Sequence, residues 1–148
     1  MIRVQREPFD AAAETAALTA GRADVGAVVS FQGLVRAEEQ GEAVTALTLE
    51  HYPGMTEKEL ARIEAEARAR WPLQASLIVH RYGRMEPGEP IVLVVTASRH
   101  RQAAFEACAF LMDWLKTQAP FWKLAETAAG EAWVEAKASD DAAADRWR

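Results

Sequence analysis

The segment from His100 to Thr117, HRQAAFEACAFLMDWLKT, constrains the fold more than any other because it is apolar on nearly every side. A helix with this pattern is typically buried rather than lying on a surface. Pro120 cannot continue it, since proline lacks a backbone N–H and clashes with the preceding turn. We therefore expect a long buried helix that starts at Arg99 or His100 and runs to about Thr117. The chain has 148 residues, half of them apolar, which is enough for one domain with a real core.

Two further helices are expected earlier in the chain. Asp10 precedes an alanine-rich run that is typical of a short capped helix. Thr56 and Glu59 form a capping-box pattern that opens a charged amphipathic helix, which reaches about Arg70 and is stopped by Pro72. The last residues, 138–148, have no clear period and are predicted to be a polar tail.

The remaining segments are typical of strands joined by hairpins. Alternation and β-branched residues predict strands at 2–6, 24–36, 44–52, 73–83 and 91–98, and a terminal hairpin at 121–137 that turns at Gly130. Gly26 and Gly33 indicate a bulge or a close backbone approach. The polar run AEEQGEA, 37–43, is a loop or hairpin tip. This order predicts an α+β fold, a single domain over 1–148 with a mainly antiparallel sheet.

Charge and cysteine content exclude several classes of function. A formal net charge of -5 argues against nucleic-acid binding. The one cysteine, Cys108, cannot form an internal disulfide and is expected to be a small buried side chain. The three histidines lack metal-ligand spacing, so we expect neither a metal nor a cofactor. No apolar stretch is long enough for a membrane span or a signal peptide, and we expect a cytoplasmic protein.

The tetrapeptide SRHR, Ser98 to Arg101, places cationic side chains at the start of the buried helix. The helix dipole disfavours cations there by about 0.3–1 kcal/mol each. A bound phosphate or carboxylate would resolve the conflict, because helix N–H groups, arginine forks and an imidazole all bind anions. Alternatively, His100 and Arg101 extend into solvent or pair with glutamates. Arg36, which ends the strand motif FQGLVR, is either a third anion ligand or an ordinary surface arginine.

The motif LKTQAPFWK contains two of the four lysines in the chain, Lys116 and Lys123, around a proline corner. Either lysine alone would be an ordinary surface residue. The corner, however, can bring both amines into one pocket with Phe121 and Trp122 as walls. Two close ammonium groups in a partly dry pocket lower at least one pKa and yield a nucleophile or proton shuttle. Alternatively, they hold an anion together.

The length of the central helix bears on how these groups meet. Sixteen residues separate His100 from Lys116, about 24 Å at ~1.5 Å per residue. Both ends cannot serve one small ligand within one chain. A two-fold dimer can unite them, because the helix start of one subunit can face the lysine corner of the other.

Several motifs occur together in an order that resembles one family. FQGLVR, LTLEHYPGM, SRHR with AFEA, LKTQAPFWK and WVEAK resemble the large catalytic subunits of molybdopterin synthase, the MoaE family, over residues 24 to 137. The motif APFWK after a buried helix is the most specific of them. The resemblance implies an α/β-hammerhead-like part beside an antiparallel β part.

The activity that the resemblance implies is sulfur transfer in molybdenum cofactor biosynthesis. Such enzymes insert two sulfurs into cyclic pyranopterin monophosphate and form the dithiolene of molybdopterin. Each sulfur comes from the C-terminal Gly-Gly thiocarboxylate of a small ubiquitin-like subunit. The implied assembly is a heterotetramer, a homodimer of this chain with one small subunit at each end.

The resemblance also implies roles for single residues. Lys116 would be the catalytic group nearest the thiocarboxylate, with Lys123 beside it as an acid–base or electrostatic helper. The implied substrate-binding residues are Phe31 and Met112 as pocket walls, Arg36, His100 and Arg101 around the phosphate, and Lys137. Family members often carry an arginine where Lys137 stands, and lysine lacks its bidentate fork.

A non-catalytic alternative is a dimeric scaffold that binds a ubiquitin-like partner or a phosphorylated metabolite without turnover, because fold does not dictate function. The paired amines favour the enzyme, since a scaffold does not need them.

Overall fold

The computed structural model describes residues 1–134 and 137–148, which form nine strands and four helices. The strands are β1 (Ile2–Gln5), β2 (Ala27–Leu34), β3 (Glu38–Glu39), β4 (Glu42–His51), β5 (Leu73–Arg81), β6 (Gly83–Met85), β7 (Pro90–Ser98), β8 (Phe121–Thr127) and β9 (Gly130–Val134). The helices are α1 (Ala11–Thr19), α2 (Met55–Arg70), α3 (Arg101–Gln118) and α4 (Ala138–Asp145). None of these helices is long and apolar enough to cross a membrane.

The first sheet has the strand order β1-β5-β7-β2 and is covered on both faces. β1 pairs with β5 in parallel, and the other two pairings are antiparallel. Alternate residues of β5 and β7 point to opposite sides. Leu77, Val79, Leu93 and Val95 pack under α1, while Ile78, Val92 and Val94 join the main core with α2 and α3. Burial on both faces explains why β7 is a continuous apolar run rather than an alternating one.

The second sheet is antiparallel, with the order β3-β4-β8-β9 and β6 paired to β4. β3 and β4 form the tip of the hairpin predicted at 37–43. β8 and β9 form the predicted terminal hairpin, which turns at Gly130. Residues 135 and 136 of the predicted last strand lie outside the described residues. The mixed α+β fold expected from the sequence is confirmed by the two sheets and the four helices that pack on them.

The central helix α3 packs one face into the core between Ala104 and Leu115, and two residues separate its end at Gln118 from the start of β8. The predicted burial on nearly all sides is only partly right, because Phe105 on the opposite face is 60% exposed.

Two glycines in and before β2 behave as expected. A Cβ on Gly26 would lie 2.2 Å from the carbonyl oxygen of Arg99, and the register of β2 against β7 shifts after Gly33. The backbone of Gly26 therefore fits closely against the start of α3.

The predicted capping box of α2 is wrong in its residues. The helix begins at Met55, after Gly54, whose φ of +86° is a conformation that favours glycine. Glu57, not Glu59, reaches back, and its carboxylate accepts a 2.7 Å hydrogen bond from the Gly54 N–H. Thr56 lies in the first turn, where its hydroxyl donates to the Tyr52 carbonyl oxygen.

The segment predicted as a polar tail contains α4, which packs against α3. Trp147, just after α4, anchors this end of the chain in an aromatic cluster. Its ring meets Trp71 edge-on at 5.5 Å and Phe110 at 5.7 Å. Its Nε1–H donates a 2.6 Å hydrogen bond to Asp113 of α3. The anchored helix holds Lys137 and Asp140 over the site described next.

Candidate active site at the Pro120 corner

A cavity of about 370 Å³ lies beside the Pro120 corner, where α3 and both sheets contribute to its wall. This volume is within the range of small-molecule sites. Much of the wall is apolar, from β4, β7 and the end of α3. Its titratable side chains, among the described residues, are Arg36, Glu39, His80, Lys116, Lys123, Lys137 and Asp140. Four cations against two carboxylates make the cavity suited to an anionic ligand.

The two lysines of the LKTQAPFWK motif both line this cavity. Lys116 lies in the last turn of α3 and Lys123 on β8, so the corner between them folds one amine toward the other. Alternation along β8 turns Lys123 inward with the buried Ala125, while Trp122 faces outward and is 48% exposed. Burial, then the charge of Lys116 and hydrogen bonding with it, lower the pKa of Lys123 to about 8. At neutral pH an appreciable fraction of this amine is therefore unprotonated.

The acidic hairpin tip contributes directly to the cavity. Glu39 of β3 accepts a 3.2 Å hydrogen bond from Arg36, and both side chains line the wall. Glu39 and Asp140 also oppose the lowering of the Lys123 pKa. Glu39 and Asp140 thus partly neutralise a cluster of cations that would otherwise repel one another, which accounts for one of the three glutamates of AEEQGEA beside an anion site.

His80 of β5 completes the wall between the two sheets. Its ring stacks on Phe121 with centroids 3.7 Å apart and planes 15° apart. Burial above all, with the charges of Lys116 and Lys123, lowers the pKa of His80 to about 3, although a backbone hydrogen bond opposes the shift. The ring is therefore neutral under physiological conditions.

The sequence and the α+β fold of this chain are both similar to those of known proteins. A sequence model of the MoaE protein family matches residues 4–118. The chain belongs to the MoaE family. A chain from Mesorhizobium japonicum named molybdopterin synthase catalytic subunit is 63% identical, over 99% of this chain and 92% of its own length.

Two solved structures show that the MoaE likeness extends to the fold. A molybdopterin biosynthesis MoaE protein from Burkholderia ambifaria has a TM-score of 0.85 and 52% identity, covering 99% of this chain and 97% of its own. Molybdopterin synthase from Staphylococcus aureus has a TM-score of 0.83 and 31% identity, covering 90% and 96%. The family match at 4–118 includes Lys116, and the longer alignments extend past Lys123 and Lys137.

Within this MoaE chain, half of the predicted site residues meet in the cavity. Those that line it are Arg36, Lys116, Lys123 and Lys137. The other four lie outside its lining in a single chain. Phe31 is 41% exposed on β2, and Met112 is buried in the core on α3. His100 and Arg101 are exposed at the start of α3, at the opposite end of that helix from Lys116.

Sequence reasoning missed His80, which it assigned to the ordinary interior of a strand. The available signal in the sequence was the polar pair His80 and Arg81 directly after the apolar run Leu77, Ile78 and Val79. Both are 5% exposed. Buried polar side chains need partners, so a histidine in such a place indicates a specific contact.

Proposed function

We propose that this chain is the catalytic subunit of a molybdopterin synthase, a sulfurtransferase that converts cyclic pyranopterin monophosphate into molybdopterin. The observation that carries the proposal is the pair of amines in one cavity, with the pKa of Lys123 lowered to about 8. Membership of the MoaE family supports the choice of reaction.

The sulfur arrives from outside the chain, on the C-terminal Gly-Gly thiocarboxylate of a small ubiquitin-like subunit. Cys108 is a poor carrier, because burial raises its pKa to about 11 and keeps it a thiol. The extended tail enters the cavity and brings its thiocarboxylate beside Lys116. A Gly-Gly end suits a narrow passage because it carries no side chains.

The lysine pair then supports the chemistry in two ways. The ammonium of Lys116 stabilises negative charge as the thiocarboxylate sulfur attacks a carbon of the pterin side chain and an oxygen substituent leaves that carbon. Water then cleaves the acyl–sulfur bond, so that the sulfur stays on the pterin and the small subunit leaves as a carboxylate. Roughly a tenth of Lys123 is neutral at pH 7 when its pKa is about 8. That amine accepts or returns a proton, and a second thiocarboxylate repeats the transfer to complete the dithiolene.

The phosphate of the substrate is held by cations. Arg36 and Lys137 provide them from the same chain, and both line the cavity. His100 and Arg101 come from the partner copy in a homodimer, because a single chain places them at the far end of α3. Phe31 and Met112 are assigned as further walls of the substrate pocket. One small subunit at each end completes a heterotetramer, which works in the cytoplasm.

The decisive experiment mixes this chain with thiocarboxylated small subunit and cyclic pyranopterin monophosphate, and measures the dithiolene product. Lys116→Ala should abolish product while leaving binding of the small subunit intact. Lys58→Ala is the matched control, because Lys58 is exposed on α2 and does not line the cavity. Normal turnover by Lys116→Ala would remove the catalytic assignment. Binding of both ligands without product in the unaltered protein would instead favour the scaffold.

A further inference from the structure

A tight turn determines where the glutamates of the β3–β4 hairpin point. Its two residues, Gln40 and Gly41, have φ values of +51° and +82°, as the mirror-image turns of two-residue hairpins require. The turn places Glu39 directly opposite Glu42. Because side chains alternate along a strand, Glu38 and Glu39 point to opposite faces of β3. Glu39 lines the cavity, whereas Glu38 is exposed and does not line it.

The charges at this tip do not favour the hairpin by themselves. Like charges directly opposite each other destabilise a pair of strands, and Glu39 faces Glu42 in this way. Arg36 relieves the repulsion, because its guanidinium donates a 3.2 Å hydrogen bond to the Glu39 carboxylate. The side chains of Arg36 and Glu39 are 63% and 20% exposed, so water screens the pair and it is weak. A stronger anion can therefore replace Glu39 at Arg36.

Arg36 and Glu39 face the same cavity, so the carboxylate lies where an anionic ligand of Arg36 would bind. A phosphate binds a guanidinium through two parallel hydrogen bonds, as a carboxylate does. Two anions at one guanidinium repel each other. A phosphate that binds Arg36 must therefore either displace the Glu39 carboxylate or remain close to it, and both lower its affinity.

We propose that Glu39 competes with phosphate for Arg36: its carboxylate occupies the guanidinium in the empty site and weakens the binding of phosphorylated ligands there. This inference rests on the proposed function, because it takes Arg36 as the ligand of the substrate phosphate. The competition keeps free phosphate out of the resting site and helps a phosphorylated product to leave. Glu39 acts through Arg36, so it is a positioning residue rather than a catalytic one.

The first test measures phosphate binding and needs no turnover. Glu39→Gln removes the charge but keeps an oxygen that can accept from Arg36. We expect the affinity of the full chain for inorganic phosphate, from a ³¹P NMR titration at low salt, to rise about twofold to fivefold, the range of an exposed ion pair. Glu38→Gln makes the same change of net charge on the opposite face and should alter the affinity by less than about 1.5-fold.

No gain in Glu39→Gln would overturn the proposal. An equal gain in Glu38→Gln would do so as well, because it would show that only the net charge of the protein matters.

The second test asks whether Glu39 acts through Arg36. In an Arg36→Gln protein, adding Glu39→Gln should change the affinity for inorganic phosphate by less than about 1.5-fold, because no guanidinium is left to compete for. A gain as large as in the protein that retains Arg36 would contradict the competition. It would mean that Glu39 only repels phosphate from a distance.

The third test uses the complete enzyme with its small subunit. The KM for cyclic pyranopterin monophosphate should fall about twofold to fivefold in Glu39→Gln. The kcat should not rise, since the product is also held more tightly. A purely structural role of Glu39 predicts the opposite, because a loosened hairpin tip would raise KM, and that result would refute the proposal. Absence of dithiolene product in the unaltered complex would contradict the proposed function, while the phosphate titrations would still judge Glu39.

Discussion

At the scale of single residues, the lowered pKa of Lys123 couples the site to the stability of the fold. The amine titrates near pH 8 in the folded chain and at an ordinary value of 10.5 when unfolded. Below pH 8 both states are protonated, and folding bears the full cost of burying the charge. Between pH 8 and 10.5 the unfolded state binds more protons, so this cost disappears as the pH rises.

Lys123→Met should therefore stabilise the protein while impairing its activity. At pH 7 we expect the free energy of unfolding to rise by about 1–3 kcal/mol, because the substitution removes a buried charge and keeps the apolar stem. The gain should fall below about 1 kcal/mol at pH 10. Urea unfolding followed by tryptophan fluorescence at both pH values, at equal protein concentration, measures this.

Lys58→Met is the control for that comparison, because Lys58 is exposed on α2. It should change the free energy of unfolding by no more than about 0.5 kcal/mol. A destabilised Lys123→Met protein at pH 7 would show that the ammonium is better paired in the cavity than its lowered pKa indicates.

What could be predicted at this scale depended on local context. Lys116 and Lys123 were recognisable because a proline corner separates them, and the corner determines where their side chains meet. The place of His80 at the site was not recognisable, because it depends on stacking against Phe121. That residue lies 41 residues later in the chain and belongs to the other sheet. The burial of Cys108 was predicted from its apolar neighbours alone, and it is confirmed.

At the scale of elements, the C-terminal helix α4 controls one wall of the site. It holds Lys137 and Asp140 at the cavity, and Trp147 fastens it to α3 and Trp71. Trp147→Ala should lower the free energy of unfolding by about 2–3 kcal/mol, through loss of the aromatic packing and of the hydrogen bond to Asp113. Product formation should fall as well, because Lys137 would lose its support. Thermal and urea unfolding, with turnover of the folded variant, measure both effects.

Trp133→Ala is the matched control for α4, since Trp133 is 58% exposed on β9. The same truncation there should cost about 1 kcal/mol or less. Equal losses from the two substitutions would mean that α4 is not fastened to the core by Trp147.

The elements that could be predicted are those with a strong local pattern. α3 and the two hairpins follow from apolar runs, proline and glycine. Helix α4 could not be predicted, because its alanines and aspartates form no apolar period. Its packing depends instead on Trp147, which lies after its end. The start of α2 was misassigned because Gly54, rather than a threonine, adopts the conformation that opens the helix.

At the scale of the whole molecule, a single chain provides only part of the proposed site. The α+β class followed from the order of the elements, and it is confirmed. The length of the central helix alone also predicted that His100 and Arg101 lie far from the lysines in a single chain. How two copies face each other could not be read from the sequence, because it depends on the shape of a surface rather than on a local pattern.

Mixing two inactive variants tests the shared site most directly. Lys116→Ala and Arg101→Ala proteins, dissociated and reassembled together, form mixed dimers in about half of the cases at random pairing. If Arg101 acts across the dimer, each mixed dimer contains one intact site and one doubly altered site.

Product formation by the reassembled mixture should then reach about a quarter of the unaltered activity. Lys116→Ala mixed with Lys123→Ala is the control and should stay inactive, because both amines belong to the same chain. Mixed dimers of Lys116→Ala and Arg101→Ala that remain as inactive as the separate variants would contradict a site shared between two copies.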